Sequence, residues 1–268
     1  MNMNKIKILD CTLRDGGYIN DWAFKDSHTR KILKALDTSH VDIIECGYLN
    51  DKKGAISDNT LFDSIRTMDT ALSTISHSKS QKVVMVNLGD FDVSNLPLQE
   101  QTSIDGIRLA FHKKDSDTAF ESAKHIISLG YKLYFQPMVT KNYTDIEFLS
   151  IIEKVNELKP YAFYIVDSFG SMTLGEFHKY LILAHSNLEA SISLGYHSHN
   201  NMQLAFSNAI SMCIQNFKRE IIIDSSIYGI GRGAGNLNTE LIADYLNSSH
   251  EKSYDTLPLL EIIDELLA

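Results

Sequence analysis

The feature that most constrains the fold is a regular alternation of short apolar runs with amphipathic stretches along all 268 residues. The apolar runs predict eight strands, at Lys5–Leu13, Val41–Cys46, Lys82–Leu88, Gly106–Phe111, Tyr131–Val139, Ala162–Val166, Ser191–His199 and Glu220–Ile230. The amphipathic stretches predict helices at Asp26–Leu36, Asn59–Thr74, Thr118–Leu129, Asp145–Leu158, Leu174–His185, Asn201–Gln215, Asn238–Asn247 and Leu257–Leu267. This α/β repeat, with a period of roughly 25–40 residues, predicts a single (β/α)₈ TIM barrel over residues 1–268. The helices from about residue 238 onward would close the barrel. An open, doubly wound sheet is the alternative.

Composition narrows the possible partners. The formal net charge is −9 and there is no basic run, so neither nucleic acid nor an anionic membrane is an expected partner. Three widely spaced cysteines suit a reducing compartment. The chain has neither a signal-peptide pattern nor an apolar run of the ~20 residues that a membrane span needs. We therefore expect a cytoplasmic protein.

Two histidines at the end of the seventh predicted strand suggest a metal site. His197 and His199 are two residues apart, so their side chains lie on the same face of a strand. Two imidazoles can form half of a metal site, although two unrelated surface histidines would give the same pattern. A carboxylate from another strand end would decide between these interpretations.

Polar residues follow most of the other predicted strands, where a barrel places its active site. They are Arg14, Asp15, Glu45, His112, Gln136, Asp167, Ser168 and Asn236. Asp15 could supply the missing carboxylate, and Asn236 could add an amide oxygen. The alternative role for Asp15 is to cap the helix that follows it.

The run from Gly229 to Gly235 has glycine at every second position. This spacing differs from that of a dinucleotide-binding loop, and no acidic partner strand follows it. A tight turn that packs the last helix and an anion or substrate site both remain open.

Three motifs together resemble the DRE-TIM metallolyases, the HMGL-like barrel family. They are Asp10-Cys11-Thr12-Leu13-Arg14-Asp15-Gly16, Tyr196-His197-Ser198-His199-Asn200 and Gly231-Arg232-Gly233-Ala234-Gly235-Asn236. The resemblance extends over nearly the whole chain and is closest to the 4-hydroxy-2-oxovalerate aldolases. It implies a divalent metal, Mn²⁺ or Mg²⁺ with Co²⁺ or Zn²⁺ as alternatives, on Asp15, His197, His199 and Asn236. It also implies a catalytic arginine at Arg14.

On this basis we expect an aldolase that cleaves or forms a 4-hydroxy-2-oxo acid through a metal-stabilised pyruvate enolate. Tyr18 or His112 would be the general base, and Glu45, Gln136, Asp167 and Ser168 would bind substrate. The alternatives are an acyl-CoA-dependent Claisen synthase or lyase, and a catalytically silent barrel that binds a metal or a 2-oxo acid. An amidohydrolase-type hydrolase is disfavoured, because its His-x-His pair normally belongs to the first strand.

Two departures from the family pattern matter. The aldolases carry a catalytic histidine a few residues after the motif aspartate, whereas this chain has Tyr18 near that position. The hydroxymethylglutaryl-CoA lyases carry a cysteine in the last glycine loop, and here there is none. No channelling domain is evident in the sequence, and the expected partner is a small 2-oxo acid, with a homo-oligomer compatible with the resemblance.

Overall fold

The computed structural model describes residues 6–53, 59–72, 78–215 and 217–267. Its strands are β1 Ile6–Asp10, β2 Ile43–Leu49, β3 Leu61–Phe62, β4 Gln81–Asn87, β5 Gly106–Phe111, β6 Lys132–Pro137, β7 Ala162–Asp167, β8 Ser193–Ser198 and β9 Ile221–Ser225. Its α-helices are α1 Thr12–Asp15, α2 Asp26–Thr38, α3 Ile65–Leu72, α4 Ser116–Ser128, α5 Asp145–Leu158, α6 Leu174–Asn187, α7 Ala205–Cys213, α8 Thr239–Ser249 and α9 Leu257–Leu267.

Eight of these strands form a closed parallel barrel. Around the barrel the order is β1, β9, β8, β7, β6, β5, β4, β2, and a β1–β2 pairing closes the ring. The short β3 pairs with β2 outside the ring. The predicted (β/α)₈ TIM barrel in a single domain is therefore confirmed, and the open sheet is excluded.

Two apolar layers account for the packing. Nine buried residues fill the barrel interior, among them Leu9, Ile43, Tyr134 and Tyr164. A much larger cluster joins the outer faces of the strands to the helices. Parallel strands covered on both faces need apolar side chains on both faces, which explains their nearly continuous apolar runs. Among the described helices, none combines the length and apolar character needed to span a membrane.

The structure corrects the predicted first strand, which ends at Asp10 instead of Leu13; Lys5 lies outside the described residues. The chain then turns into α1, where the Asp15 N–H donates to the Cys11 carbonyl at 2.8 Å. Asp10 explains the early end, because its carboxylate accepts from the Thr12 N–H at 2.9 Å. A side-chain bond of this kind favours a turn over a continued strand.

The predicted helix Asn59–Thr74 is also corrected. Leu61–Phe62 form β3, and the helix begins only at Ile65; residues 73 and 74 lie outside the described part. The pairing of β3 with β2 depends on Gly47. A Cβ at this position would lie only 2.7 Å from the nearest atom of Phe62, so a larger residue would collide with β3. A local helical pattern in the sequence was thus overridden by a strand pairing.

Strand ends elsewhere are shorter than predicted. The predicted Glu220–Ile230 strand ends at Ser225, and the Tyr131–Val139 strand ends at Pro137. The predicted helix Asn201–Gln215 is reduced to Ala205–Cys213. The residues after β6 and β9, and those between β8 and α7, form loops that follow strands at the C-terminal end of the barrel.

Candidate active site

A cavity of about 340 Å³ opens among the loops at the C-terminal end of the barrel. Its volume lies within the range of small-molecule pockets. Most of the site residues predicted from sequence line it, namely Arg14, Asp15, Tyr18, His112, Gln136, Ser168, His197 and His199. The remaining three, Glu45, Asp167 and Asn236, lie outside its lining.

Asp15, His197 and His199 form a compact ligand group. One ligand atom from each lies within 4.8 Å of the others, and all three residues are buried. The two histidines come from the end of β8, and Asp15 comes from α1, which follows β1. Because β9 separates β1 from β8 in the barrel order, these side chains meet across the last strand.

A hydrogen bond at Nδ1 orients each of the two imidazole rings. His197 Nδ1 lies 3.0 Å from Asp224 Oδ2, and His199 Nδ1 lies 3.1 Å from the Arg232 carbonyl oxygen. Partners on Nδ1 leave each Nε2 available for a cation, as is usual for metal-binding histidines. Burial lowers the pKa of His199 to about 4, so this ring is neutral near pH 7, the form that binds metals.

Asp15 stays ionised although it is buried. Burial by itself would raise the pKa of Asp15, but Arg14 and the two histidines more than offset this and hold it well below its ordinary value. Asn236 Nδ2 donates to Asp15 Oδ2 at 2.7 Å. Asn236 Oδ1 is buried and has no hydrogen-bond partner among the described residues. A carboxylate, two imidazoles and an unsatisfied amide oxygen suit a divalent cation.

The glycine run forms a tight turn beside this ligand group. A Cβ on Gly231 would lie 2.6 Å from Asp15 Oδ2, so only glycine leaves room for the carboxylate. Gly233 and Gly235 have φ angles of +66° and +83°, which glycine adopts readily. The turn carries Asn236 at its end and presents the Arg232 carbonyl to His199.

A buried ionic network supports the ligand group from below. Arg14 donates from Nη1 to Asp15 and from Nε to Glu45 Oε2, the latter at 2.8 Å. Arg108 Nη1 lies 2.7 Å from the same Glu45 oxygen, and Arg108 also pairs with Asp224. Asp224 in turn holds His197. A continuous chain of ion pairs therefore links Arg14 to Asp224 through the barrel interior, and a hydrogen bond continues it to His197.

Gln136 and Ser168 line the opposite side of the cavity. The Gln136 side-chain amide is oriented with its oxygen toward Arg108, and this oxygen accepts a hydrogen bond from Arg108 Nε at 3.1 Å. The NH₂ group of Gln136 is then left for the cavity. Ser168 Oγ accepts from the Val139 N–H at 2.9 Å and keeps its own O–H as a donor. Val139 has φ +53°, a costly conformation for a β-branched residue, so the Ser168 bond also holds a strained loop.

Two carboxylates predicted to bind substrate, Glu45 and Asp167, lie outside the cavity lining. Glu45 is fully buried and faces Arg14 and Arg108. Asp167 accepts from the backbone N–H groups of Ser171 and Met172, each at 3.0 Å. Neither side chain lines the cavity, because both are taken up by neighbouring donors. In this arrangement Glu45 contacts Arg14, and Asp167 contacts the loop after β7.

Both residues expected to act as general base line the cavity. The Tyr18 side chain is 45% exposed and stacks edge-on against Trp22. Burial raises the pKa of Tyr18, although Arg14 and Arg232 act to lower it. His112 follows β5 and is exposed to solvent.

Sequence reasoning missed Arg108, Asp224 and Arg232. Arg108 and Asp224 each stand inside an otherwise apolar barrel strand. A charge in such a position needs a buried partner, and this signal was available in the sequence. Arg232 was visible within the glycine run, but its place at the cavity follows only from the turn.

The chain is similar to known proteins over nearly its whole length. A family model described as HMGL-like matches residues 5–264. A 4-hydroxy-2-oxovalerate aldolase of Carboxydothermus hydrogenoformans is 26% identical, with 98% of this chain and 77% of that protein covered. A Marinomonas protein of the same name is 27% identical, with 100% of this chain and 78% of that protein covered.

Solved structures show the same architecture. The N-terminal domain of a putative aldolase from Bacteroides vulgatus is 28% identical, with a TM-score of 0.80 and coverage of 97% of this chain and 86% of that chain. Hydroxymethylglutaryl-CoA lyase from Pseudomonas aeruginosa shares the fold at 13% identity, with a TM-score of 0.73 and coverage of 99% and 93%. The three motifs, the barrel and the match over residues 5–264 lead to one conclusion: the chain belongs to the HMGL-like family.

Proposed function

We propose that this protein is a divalent-metal-dependent aldolase that cleaves or forms a 4-hydroxy-2-oxo acid, with pyruvate as one product or substrate. The observation that carries the proposal is the ligand group of Asp15, His197 and His199 beside a partly unpaired Arg14. The relatives named 4-hydroxy-2-oxovalerate aldolase support the reaction class.

The residues of the site fit a divalent cation. Asp15, His197 and His199 would hold it, and Asn236 Oδ1 is the buried oxygen available as a further ligand. Mixed imidazole and oxygen ligands are compatible with Mn²⁺, Mg²⁺, Co²⁺ or Zn²⁺, and the resemblance favours Mn²⁺ or Mg²⁺. The cation would supply Lewis-acid polarisation of the 2-oxo group.

Arg14 is placed to stabilise negative charge on the substrate. Its Nε and Nη1 are engaged by Glu45 and Asp15, whereas its buried Nη2 has no partner among the described residues. Arg14 also lines the cavity. A fixed donor aimed at an oxygen that gains charge during carbon–carbon cleavage stabilises the transition state more than the bound substrate.

A proton must leave the C4 hydroxyl when the C3–C4 bond breaks. Outside the ligand group and the two arginines, the titratable residues that line the cavity are Tyr18, Tyr48 and His112. The Tyr48 hydroxyl already donates to Asp90, which leaves Tyr18 and His112 as candidates. Burial raises the pKa of Tyr18, so its phenolate, the form that acts as a base, is less available. The proton argument therefore favours His112, and proximity to the family's histidine position favours Tyr18. Gln136 and Ser168 would orient the substrate through their free donors.

The decisive experiment is a screen of 4-hydroxy-2-oxo acids for metal-dependent release of pyruvate. A parallel assay follows exchange of the pyruvate methyl protons in deuterium oxide. Release and exchange that both disappear in Asp15→Asn support the proposal. Asp117→Asn, the same change on the exposed surface of α4, is the matched control and should behave as wild type.

Other outcomes would contradict the proposal in different ways. Proton exchange of an acyl-CoA but not of pyruvate would indicate a Claisen-type enzyme. Absence of exchange with any donor, in protein loaded with Mn²⁺, would indicate a barrel that binds ligands without catalysis.

A further inference from the structure

The backbone of Arg232 is held in a fixed position beside the cavity. Its carbonyl oxygen accepts from His199 Nδ1 at 3.1 Å and from the Gly235 N–H at 3.2 Å. The turn is held from outside as well, because Asn201 Oδ1 accepts from the Ala234 N–H at 2.9 Å. These bonds leave little freedom to the backbone that carries the Arg232 side chain.

The Arg232 guanidinium lies toward the cavity. Its Cζ is 5.8 Å from the centre of the Tyr18 ring, and the residue lines the cavity together with Tyr18. A guanidinium over an aromatic face keeps its planar fork of donors available at the edge. Arg232 therefore presents hydrogen-bond donors to the cavity beside the ligand group.

The charge of Arg232 is not balanced locally. Asp15 is the one carboxylate that lines the cavity within the described part of the chain, and it faces Arg14. None of the ion pairs found among residues 6–53, 59–72, 78–215 and 217–267 includes Arg232. In a protein of net charge −9, an unpaired arginine beside a binding cavity points to an anionic ligand.

The charges of the buried ionic network, counted together with Arg232, lead to the same expectation. Arg14, Arg108 and Arg232 carry three positive charges. Asp15, Glu45 and Asp224 carry three negative charges, so the protein groups cancel. A bound divalent cation would leave two positive charges. A substrate with one carboxylate neutralises only one of them, and a second anionic group neutralises the other.

One part of the cavity lining, across from the ligand group, is apolar. Met85, Ala110, Met138, Val139 and Val166 line it, and we call these residues the apolar wall. A short carbon chain could lie along this wall, with its oxo acid end at the ligand group and its far end at Arg232.

We propose that the substrate carries a second anionic group, a carboxylate or a phosphate, at the end distant from the 2-oxo acid, and that Arg232 binds this group. The inference rests on the proposed function, because it takes the 2-oxo acid end to lie at the ligand group. It narrows the acceptor half of the reaction to an aldehyde with a negative charge.

Binding of paired ligands tests this inference without any turnover. In Mn²⁺-loaded protein, titration calorimetry compares 2-oxoglutarate with 2-oxopentanoate, which has the same chain length but lacks the far carboxylate. Phosphohydroxypyruvate and hydroxypyruvate form the corresponding phosphate pair. We expect the anionic member of at least one pair to bind roughly 10–100-fold more tightly, as one charge-assisted bidentate contact provides. The pair with the larger ratio identifies the anion.

Variants of Arg232 assign the preference. Arg232→Gln keeps the backbone carbonyl that holds His199, and it should reduce the affinity ratio to about 1, while Arg232→Lys should restore part of it. Arg66→Gln, the same change on exposed α3, is the matched control and should keep the wild-type ratio. A ratio that stays unchanged in Arg232→Gln, or an equal loss of affinity for both members of a pair, would overturn the inference.

The outcome is separable from that of the proposed function. A preference that depends on Arg232 supports the anion site even where no pyruvate is released from any substrate. Conversely, pyruvate release from neutral substrates without preference for the anionic ones would leave the aldolase proposal standing and refute the anion site.

Discussion

The ligand group and the apolar wall face each other across one cavity, but they are held in different ways. Every member of the ligand group has a second polar partner: Arg14 and Asn236 hold Asp15, Asp224 holds His197, and a backbone carbonyl holds His199. The apolar wall depends on packing and on a loop with a strained Val139. Oriented polar groups preserve a chemistry, whereas packed apolar groups can be exchanged at small cost.

This contrast indicates how one barrel can serve several reactions. Changes in the wall and in Arg232 would alter the acceptor while the ligand group continues to handle the 2-oxo acid. The comparison therefore makes different predictions for the two sides of the cavity.

The largest effect is expected in the ligand group. Asp15→Asn and His197→Ala should each abolish activity and weaken metal binding, with the fold retained, because both residues lie beyond the packed barrel layers. Metal content after dialysis and the far-UV spectrum measure the two properties. A double variant that keeps full metal stoichiometry would place the metal elsewhere.

The second prediction separates Tyr18 from His112. Replacing the residue that acts as base, by Tyr18→Phe or His112→Asn, should lower the rate of carbon–carbon cleavage by ~10²–10⁴-fold. The same replacement should change the rate of pyruvate proton exchange much less. A histidine base gives a wild-type rate that declines at acidic pH, because the protonated ring cannot accept a proton. Wild-type cleavage rates in both variants would assign the proton transfer to another group.

The third prediction concerns the buried ionic network beneath the cavity. Arg108→Met leaves Glu45 and Asp224 buried without their shared cation, and it should cost about 3–5 kcal/mol of unfolding free energy. Urea unfolding measures this loss. The same change at exposed Arg30 should cost less than about 1 kcal/mol, since its ion pair with Asp26 is at the surface. A stable Arg108→Met variant would show that the network is dispensable for folding.

Arg14→Lys tests whether the guanidinium acts in the transition state. Lysine keeps the charge but lacks the fork that reaches Glu45, Asp15 and the cavity together. We expect kcat to fall by ~10²–10³-fold with a much smaller change in KM. Steady-state kinetics decide the point, and near-normal turnover would remove Arg14 from the chemical step.

The smallest effect is expected from Asp10, which supports the ligand group through α1. Burial raises the pKa of Asp10 to about 6, above its unfolded value near ~3.9. The folded state then binds the proton more tightly, so this residue's contribution to stability is fully present below pH ~4 and is lost as the pH rises to about 6. The loss amounts to about 2–3 kcal/mol.

Comparison with Asp10→Asn isolates that contribution. The stability of wild type relative to this variant should decline between pH 4 and pH 6, measured by urea unfolding at each pH. A difference that is constant over this range would show that Asp10 does not titrate there.

Much of the fold was accessible from the sequence because it depends on local patterns. Every barrel strand was predicted in the right place, since apolar runs of strand length identify themselves. The helices Asp145–Leu158 and Leu257–Leu267 were predicted to the residue. The first of them carries a capping box at Thr144, a signal contained within a few residues.

The site was accessible in part for the same reason. His197 and His199 share a strand face by simple alternation, and Asp15 follows the first strand, so the sequence by itself determined where ligands could stand. Strand ends were less certain, because β1 stops where Asp10 turns the chain and β9 stops before the glycine turn.

The tertiary structure alone decided which charges meet. Arg108 and Asp224 are 116 residues apart and become neighbours only when the barrel closes. Glu45 and Asp167 looked alike in the sequence, yet neighbouring donors draw both away from the cavity. Arg232 acquires its place from a turn held by Asn201 and His199. Periodicity specifies which face a residue occupies, whereas the partner across a closed barrel depends on contacts between strands far apart in the chain.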